Sequence, residues 1–326
     1  MHIKKNKLIS NFKKITNNLK FYLPIILCFT LLSFNNSSGE TFSLSNSISL
    51  VGSIKTHIVN KGESLIEIAR HYDLGYNEIV DANPEFDPFV PEEGSKVIIP
   101  TFWILPEKQN NFHGIIINLS EMRLYYFYKK GKEELVTTFP IGIGDDGVET
   151  PLGKFKISHK IINPPWYVPE SIKKERPELP AVVPPGPDNP LGTHAMRLSG
   201  LSYLIHGTNR PWAVGRKVTH GCIRLYPEDI PQLFDMVPVG TEVIIVRQPV
   251  KVAKINNDVY VEVHRDDQLQ NFDYLQNAME QLAKKGILKY VDTFKLYSVI
   301  KQKTGIPTAV SIKNKEPQLL LQEPWL

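Results

Sequence analysis

The distribution of apolar and polar residues first marks out a small unit between residues 55 and 100. THIV alternates as a short strand, Ser64 is placed to cap one short helix, Asn77 is placed to cap a second that ends near Asn83, and VIIP at 97–100 closes the unit as a strand. Strand, helix, helix, strand in fewer than fifty residues leaves a core too small for much chemistry. The pattern therefore predicts a βααβ module of the α+β class that binds a ligand.

A strand pattern replaces the helical one from residue 114 onward. GIIINLSEMRLYYFY, ELVTTFPIGIG and GKFKISHKI are rich in β-branched and aromatic residues, and strands resume at HAMRLS, SYLIHG and EVIIVRQ. Between them, the proline-rich residues 163–192 sustain neither helix nor sheet, which is typical of a functional loop or lid. Residues 112–248 are therefore predicted to form a mainly β domain, a sandwich or barrel.

The C-terminal region, residues 251–326, mixes both patterns. VYVEVH alternates as a strand, and two helices follow, closed by Gly286 and Gly305. The first helix should carry an apolar face made of Leu269, Phe272, Leu275, Met279 and Leu282. We find no candidate site there and expect a mixed α/β buttress packed on the sheet rather than a surface for a partner.

The first 39 residues have the character of a targeting segment. Six lysines precede FYLPIILCFTLLSF at 21–34, an apolar run of signal-peptide length and short for a membrane span. Small and polar residues follow it and favour cleavage after Gly39. We therefore predict a secretory signal peptide over 1–39, with an uncleaved membrane anchor as the alternative.

Export changes the charge balance of the chain. Loss of residues 1–39 removes six lysines and no acidic residue, so 38 basic and 34 acidic residues become 32 and 34, and the net charge moves from +4 to −2. Without a basic excess, and without basic residues interleaved with aromatic ones, a nucleic-acid partner is excluded.

Export also isolates one thiol. Cys28 lies within the apolar run, so the mature chain would keep only Cys222. An odd thiol in an exported protein indicates pairing with another chain, an inert buried sulfur or a reactive nucleophile. The polar, glycine-containing sequence THGC is not typical of a buried core, where an inert thiol would lie. It therefore favours a reactive nucleophile.

A nucleophilic thiol needs a base or a positive neighbour, because little of it is ionised at neutral pH. His206 ends an apolar strand before Gly207, and His220 lies two residues before Cys222. If residues 220–224 are extended, His220, Cys222 and Arg224 share one face. Gly221 would let the main chain approach a substrate and present N–H groups to an oxyanion.

One alternative for these side chains is a zinc site. His206, His220 and Cys222 are acceptable ligand types, and His194 or His159 would supply the fourth, but the spacing matches no familiar zinc motif. Apart from that alternative, His159, His194 and Arg197 receive no role. The geometry suits acyl transfer best.

Residues 55–100 resemble the LysM module in HIVNKGESLIEIA, in DAN at 81–83 and in the terminal VIIP. The resemblance implies binding to glycans that contain N-acetylglucosamine, commonly peptidoglycan, in a shallow groove. Gly62, Glu63, Ser64 and Asn83 would lie near that groove by position. Gly62 and Ser64 are also the residues that a turn and a helix cap require.

HGTNRPWAVGRKVTHGCIRL, residues 206–225, resembles the signature of the L,D-transpeptidase (YkuD) family, and TPLGKFKISHKIINPPWYVP resembles its envelope-anchoring branch. The resemblance implies the YkuD-type β fold and a role for each matching residue. The implied roles are nucleophile for Cys222, general base for His206, orientation of its imidazole for the Gly207 carbonyl, oxyanion pocket for His220 and Gly221, and substrate binding for Arg224 and Thr219. Trp166 in the proline-rich stretch is either a substrate wall or an ordinary packing residue.

The implied reaction takes place in the periplasm and needs no metal and no cofactor. Cys222 would form a thioester with a peptidoglycan tetrapeptide stem, release D-alanine, and pass the acyl group to an amine on a second diaminopimelate or on a lysine of an outer-membrane lipoprotein or other protein. Carbapenems typically acylate the thiol of this family. The alternatives are a cell-wall cysteine peptidase or amidase, although NlpC/P60-type enzymes place Cys before His, and a non-catalytic peptidoglycan-binding protein.

Overall fold

The computed structural model describes residues 39–44 and 49–312. The predicted signal peptide or anchor therefore lies, except for Gly39, outside the described residues. Within the described ranges, every helix is too short or too polar to cross a membrane.

Short strands dominate the described chain. The strands are β1 (Glu40–Leu44), β2 (Leu50–Gly52), β3 (Lys55–Ile58), β4 (Lys96–Ile99), β5 (Phe102–Ile104), β6 (Gly114–Asn118), β7 (Arg123–Lys130), β8 (Glu133–Pro140), β9 (Ile143–Gly144), β10 (Gly153–Ile162), β11 (Trp166–Tyr167), β12 (Val182–Val183), β13 (His194–Leu198), β14 (Leu204–His206), β15 (Lys217–Thr219), β16 (Ile223–Arg224), β17 (Glu242–Val246), β18 (Val250–Ile255), β19 (Asp258–Val263) and β20 (Thr308–Ala309). The α-helices are α1 (Leu65–His71), α2 (Tyr76–Ala82), α3 (Glu170–Glu175), α4 (Asp229–Met236), α5 (Tyr274–Lys284) and α6 (Thr293–Gln302), and single 3-10 turns cover Pro211–Ala213 and Leu288–Tyr290.

A curled sheet forms the central domain, residues 112–248. Its nine strands run in the order β1-β8-β7-β6-β17-β10-β13-β14-β16, with β6 parallel to β17 and β14 parallel to β16. Gly142, two residues beyond β8, forms an antiparallel bridge with Arg224 in β16, so the sheet curls until its last strand returns to the chain that leaves β8. The predicted mainly β fold is confirmed.

The concave side of this sheet encloses the main core. Apolar side chains of β6, β7, β13, β14, β16 and β17 meet helix α4 there. The fully buried members include Ile115, Ile117, Leu124, Met196, Leu198, Ile205, Ile223, Ile230, Leu233 and Val243. Alternate residues of these strands must therefore point away from the core, onto the opposite face.

The N-terminal module, residues 55–100, has the predicted βααβ order, with β3 antiparallel to β4. Ser64 caps α1 as predicted, in a capping box in which its backbone N–H donates to Glu67 Oε2 at 2.9 Å. The predicted cap of α2 is wrong: Gly75, not Asn77, is the N-cap, and its N–H donates to Glu78 Oε2 at 2.7 Å. Asn77 lies inside the helix, where its Nδ2 donates to the Glu121 carbonyl at 2.9 Å.

The N-terminal module packs on the outer face of the central sheet. Both contribute to one hydrophobic cluster, which includes Leu65, Ile68, Leu74, Ile79 and Val97 from the module and Ile116, Tyr125, Phe127 and Val136 from the sheet. A continuous core across the boundary makes the two parts a single packed body, because neither face can be exposed without losing apolar burial.

A buried ion pair crosses the same boundary. The fully buried Arg123 of β7 donates from Nε and Nη2 to the carboxylate of Glu78 in α2, each at 2.8 Å. Nη2 also donates to the Asp73 carbonyl at 2.8 Å, and Trp103 Nε1 donates to Glu78 at 3.0 Å. Removing one partner of such a pair leaves an uncompensated buried charge, at a cost of about 3–5 kcal/mol.

The C-terminal region forms a third core from β18, β19, β20, α5 and α6. The predicted face of α5 is partly wrong, because Asp273 caps the helix by accepting from Gln276 N–H at 2.9 Å and the helix begins only at Tyr274. Tyr274, Ala278 and Leu282 are its buried residues, and Met279 is 43% exposed. The position of the N-cap at Asp273 therefore determines which residues of α5 face the core.

Lys251 joins the C-terminal region to the rest of the fold. Its ammonium group lies 2.6 Å from Glu121 of the central domain and 2.8 Å from Glu262 of β19, and it donates to the Ile104 carbonyl at 2.6 Å. His264 contacts the same Glu262 at 2.6 Å. All four ionisable side chains are buried, and they compensate one another.

Two buried carboxyl groups at the module boundary should make stability depend on pH. Asp73 of the N-terminal module and Asp229 at the start of α4 face each other, and neither has a positive partner as close as the one that Glu78 has. Burial raises the pKa of Asp229 to about 7, and burial next to Asp229 raises the pKa of Asp73 well above its usual value. Between its ordinary pKa near 4 and the folded pKa of about 7, Asp229 keeps a proton in the folded state that it has lost in the unfolded chain, so stability falls as pH rises from about 4 to about 7.

We expect Asp229→Asn, which cannot ionise, to raise the melting temperature at pH 8 by about 2–4 °C or more, the shift that roughly 1 kcal/mol produces. At about pH 3.5, below the ordinary pKa of the carboxyl group, the variant and the wild type should melt at similar temperatures. Thermal unfolding followed by circular dichroism at both pH values measures this, with Asp235→Asn, the exposed aspartate of the same helix, as control. An unchanged pH dependence in Asp229→Asn would contradict the assignment.

Candidate active site

Strand pairing places His206 and Cys222 on one side of the sheet. In the parallel pair β14/β16, Ile205 lies opposite Ile223 and His206 lies opposite Arg224. Both isoleucines are fully buried in the core. Since side chains alternate along a strand, His206, Arg224 and the adjoining Cys222 face the opposite side. His206 and Cys222 are then diagonal neighbours on that face.

His206 is held as a neutral base. Its ring is buried, and Nδ1 donates to the Gly207 carbonyl at 2.6 Å, which is the contact that the sequence implied. Because a carbonyl can only accept, the proton of the neutral ring lies on Nδ1 and Nε2 is left as an acceptor. Burial, reinforced by the nearby Arg224 guanidinium, lowers the pKa of His206 to about 3.

Cys222 is held as a protonated thiol. It is partly exposed, and burial of the sulfur raises its pKa above the usual value. A backbone hydrogen bond from Leu204 and the charges of Arg224 and Arg197 act in the opposite direction but do not prevail. At neutral pH the site therefore contains a neutral thiol beside a neutral imidazole, not a preformed ion pair.

Two hydroxyl groups fix the cysteine loop, residues 219–222, which presents the thiol. Thr219 donates to the Cys222 carbonyl at 2.7 Å and accepts from Gly221 N–H at 3.2 Å. Thr150 donates to the Gly221 carbonyl at 3.0 Å. Thr219 is buried, and its hydroxyl donates and accepts within the loop, which supports a positioning role; the substrate-binding role expected for it stays a prediction.

Gly221 turns the chain between His220 and Cys222. Its φ of +93° lies in the left-handed region, and a Cβ there would lie 2.2 Å from Tyr203 Cε1. The expectation of an extended segment from 220 to 222 is therefore wrong. His220 leaves the face of Cys222, and its Nε2 lies 3.3 Å from Glu175 Oε2.

The proline-rich residues 163–192 form a cover beside this face. Trp166 pairs with Val183 in the β11/β12 hairpin and is half-buried. The fully buried Asn189 ties the cover together, with Nδ2 donating to the carbonyl groups of Pro164, Val183 and Pro184. Glu175, at the end of α3, reaches His220 and links the cover to the cysteine loop. No sequence signal singles out Glu175.

Two arginine residues share the face of Cys222. Arg224 is half-buried, and its Nε, though buried, has no hydrogen-bond partner within the described residues. Arg197 of β13 lies opposite Leu204, and therefore on the same face, with its side chain exposed. His159 of β10 lies opposite Arg197 in turn. Sequence analysis assigns no role to Arg197 because the register of β13 against β14 cannot be read from residue spacing.

The predicted glycan-binding residues of the N-terminal module differ in exposure. Gly62 is exposed at a turn with φ +78°, and Ser64 is occupied in the cap of α1. Glu63 accepts from Asn60 N–H at 2.9 Å and lies 2.9 Å from His57 Nε2.

Asn83 does not take the groove position predicted for it. Its side chain is fully buried, Nδ2 donates to the carbonyl groups of Ile79 and Ile98 at 2.8 Å each, and Oδ1 accepts from Ile98 N–H at 2.7 Å. Asn83 thus joins α2 to β4.

The zinc alternative does not match the geometry. His194 lies on the opposite face of β13 from Arg197, with its ring centroid 4.7 Å from that of Phe234, and His220 is directed to Glu175. In the described ranges, the side chains close enough to share a metal ion are Glu121, Glu262 and His264. The Lys251 ammonium already occupies that cluster.

Comparison with known proteins gives the same two parts. The family model of the L,D-transpeptidase catalytic domain (YkuD) matches residues 113–245, and the LysM domain model matches residues 57–100. The probable L,D-transpeptidase YcfS of Escherichia coli K12 is 41% identical over 83% of this chain and 88% of its own length. The probable L,D-transpeptidase ErfK/SrfK of Salmonella typhimurium is 36% identical over 77% of this chain and 84% of its own length.

Solved structures of L,D-transpeptidases are also similar. The catalytic domain of the Enterococcus faecium enzyme has a TM-score of 0.32 at 23% identity, covering 42% of this chain and 99% of that one. The Mycobacterium tuberculosis L,D-transpeptidase 1 has a TM-score of 0.28 at 21% identity, covering 40% of this chain and 60% of that one.

The neutral thiol and imidazole should give a distinctive pH profile of thiol reactivity. We expect the alkylation rate of Cys222 by iodoacetamide to rise steadily up to about pH 9 and beyond, because the raised pKa keeps the thiol protonated at neutral pH. Arg224→Gln should move the rise to higher pH, because a cation that favours the thiolate is lost. The rate is measured by mass spectrometry from pH 5 to 10 against a Cys222→Ala background. A plateau between pH 6 and 8 would instead indicate an imidazolium–thiolate pair.

Proposed function

The chain belongs to the L,D-transpeptidase family, and we propose that it acts through a thioester between Cys222 and the tetrapeptide stem of peptidoglycan. The observation that carries this proposal is the pairing of β14 with β16, which presents a partly exposed thiol beside a neutral histidine whose Nδ1 is bound to Gly207. The family and the LysM module both point to peptidoglycan as the polymer that is bound, and to the cell envelope as the location. A periplasmic location after export follows as part of the proposal.

In the first half of the reaction, His206 Nε2 takes the proton of Cys222 as Sγ attacks the diaminopimelate carbonyl. The bond from sulfur to carbon forms, the amide bond to the terminal D-alanine breaks, and His206 returns the proton to the leaving amine. A base whose pKa is lowered to about 3 is unprotonated at neutral pH, so it is ready to accept this proton. Its low basicity also favours prompt return of the proton to the amine.

The oxyanion would be stabilised by the main chain of the cysteine loop. Gly221 N–H is already donated to Thr219 Oγ1, at 3.2 Å. The Cys222 N–H has no hydrogen-bond partner among the described residues, and it is the donor we assign to the oxyanion. Gly221 then contributes the turn that aims this N–H, and His220 joins the loop to the cover through Glu175.

Substrate carboxylates would be held by Arg224 and Arg197. The unpartnered Nε of Arg224 and the exposed guanidinium of Arg197 flank the thiol, and a tetrapeptide stem carries carboxylates on diaminopimelate and on its terminal D-alanine. Trp166, half-buried in the cover, would form a wall of the same cleft.

In the second half, an amine attacks the thioester carbonyl, a new amide bond forms as the carbon–sulfur bond breaks, and the proton lost by the amine passes through His206 to Cys222 Sγ. The amine is the side chain of a second diaminopimelate, which crosslinks the glycan, or a lysine of an outer-membrane lipoprotein, which anchors that protein. The cover formed by residues 163–192 favours attack by the amine because it limits the access of water to the thioester. Carbapenems would acylate Cys222 in the same way as the stem. Glycan would bind to the N-terminal module near Gly62 and Glu63, which keep exposed surface.

Incubation with tetrapeptide muropeptides, with and without a peptide ending in lysine, tests the proposal by mass spectrometry of the products. We expect release of D-alanine together with a new amide bond, and complete loss of turnover in Cys222→Ala and His206→Ala, because the nucleophile or its base is gone. Both variants should still bind insoluble peptidoglycan in a pull-down. Hydrolysis of the stem without a new amide would favour a cysteine peptidase, and peptidoglycan binding without any reaction would favour a non-catalytic protein.

A separate measurement tests the carboxylate site. We expect Arg197→Gln to raise KM for the muropeptide by about tenfold with a smaller effect on kcat, because one charge-assisted hydrogen bond to the bound substrate is worth roughly 1.5–3 kcal/mol. Arg265→Gln, which removes an exposed arginine of the C-terminal region, is the matched control. Equal KM values for both variants would remove Arg197 from the site.

A further inference from the structure

The loop that joins His206 to Cys222 is held from outside by the N-terminal module. Tyr76 N–H donates to the Val214 carbonyl at 3.2 Å, and Asn77 N–H donates to the Gly215 carbonyl at 3.3 Å. These are amide groups of the first turn of α2, which have no acceptor within their own helix. The main chain of residues 207–219 therefore accepts two hydrogen bonds that the first turn of α2 cannot form within its own helix.

The segment that follows β8 holds the same loop from the other side. Gly215 N–H donates to the Ile141 carbonyl at 3.0 Å, and Ile143 N–H donates to the Arg216 carbonyl at 3.0 Å. Residues 213–216 are thus fixed between residues 141–143 and helix α2, about midway between His206 and Cys222. Without the module, this part of the loop would keep its bonds to residues 141–143 and the bonds within the loop from Ala213 N–H to the Arg210 carbonyl and from Val214 N–H to the Pro211 carbonyl.

The contact between module and loop has no spare volume. A Cβ on Gly215, where φ is +76°, would lie 2.1 Å from Tyr76 N, and a Cβ on Gly75 would lie 2.9 Å from Gly215 Cα. The backbone of Gly75, with φ −78° and ψ 159°, suits any residue. Glycine is therefore needed at 75 for the close approach to the loop and not for its own conformation.

Side chains extend the contact. The Arg216 guanidinium carbon lies 3.7 Å from the centre of the Tyr76 ring. On the Cys222 side of the loop, Tyr226 donates to the Leu74 carbonyl at 2.9 Å, and Glu228 pairs with Arg70 at 2.7 Å. The module thus contacts the chain both before and after Cys222.

We propose that the N-terminal module is a positioning element of the active site, in which Gly75 and Tyr76 fix the loop that connects the paired strands β14 and β16 and so hold His206 and Cys222 at the separation that the strand pairing sets. This inference rests on the catalytic roles proposed above for His206 and Cys222. Proton transfer from thiol to imidazole requires the heavy atoms to come within hydrogen-bond reach, and a displacement of 1 Å can cost roughly 100-fold in rate. The module would then support catalysis at Cys222 in addition to binding glycan.

The experiment compares substitutions on the two sides of the module in the full chain. Gly75→Ala introduces a methyl group against Gly215, Tyr76→Ala removes the ring under Arg216, and Tyr76→Phe keeps that ring. Tyr72→Ala is the control: Tyr72 belongs to the same module, but its ring contacts His57 and His71, which also lie in the module. Each variant is assayed for acylation of Cys222 by a carbapenem, for alkylation by iodoacetamide at about pH 10, and for thermal unfolding.

We expect Gly75→Ala and Tyr76→Ala to lower the second-order rate constant of acylation by about tenfold or more, and Tyr76→Phe and Tyr72→Ala to stay within about twofold of the wild type. Alkylation at high pH should be similar in all four, because a thiolate needs no base. Loss of stability in Tyr72→Ala without loss of acylation would separate positioning from general destabilisation.

Two results would overturn the inference. One is acylation at the wild-type rate in both folded variants, Gly75→Ala and Tyr76→Ala. The other is an equal loss in Tyr72→Ala at matched melting temperature, which would make the effect one of stability. A wild-type chain that a carbapenem fails to acylate at Cys222 would instead refute the proposed function, and this inference with it.

Discussion

The parallel pairing of β14 with β16 is the constraint on which the rest of the site depends. Ile205 and Ile223 lie opposite each other and are buried in the core, so alternation directs His206, Cys222 and Arg224 together to the other face of the sheet. A slip of one residue in either strand would direct an ionisable group into the apolar core and an isoleucine to the face of the thiol. The hydrophobic core therefore enforces the register, and the register brings together two reactive groups that are sixteen positions apart.

Burial then decides the protonation of the pair. Desolvation disfavours the charged form of both groups, which lowers the pKa of His206 and raises that of Cys222. Arg224 assists the thiolate but opposes the imidazolium, so it does not stabilise a separated ion pair as a whole. Charge appears only when the proton moves during attack. A cleft of this kind keeps the resting thiol protonated and weakly nucleophilic, and it still provides a base at the moment of reaction.

The sequence predicted those features that depend on local chemistry. The cap at Ser64, the βααβ order and the mainly β domain follow from capping residues and alternation, and all three are confirmed. The predicted cap at Asn77 is wrong because the Glu78 carboxylate accepts from Gly75 N–H, which starts the helix two residues earlier. Asn83 and Gly221 show a different limit: the buried amide of Asn83 bridges α2 and β4, and the Tyr203 ring occupies the space that a Cβ at Gly221 would need, so both positions depend on neighbours distant in the chain.

The sequence also suggested two modules joined in series, and here the tertiary contacts prevail. The Arg123 guanidinium has no solvent exposure, and its carboxylate partner, Glu78, belongs to the N-terminal module. Detaching the module would leave the Arg123 charge against an apolar sheet face without its partner, or would expose that face to water. Either change would lower the free energy of unfolding. The same boundary contains the carboxyl groups of Asp73 and Asp229, whose pKa values are raised by burial, so both carry less negative charge at neutral pH than exposed carboxyl groups do. Such a boundary favours a fixed geometry over a flexible tether, so glycan held by the module would be held at a fixed position relative to the thiol. A processive search along the polymer would then require the whole body to move, rather than the central domain swinging on a linker.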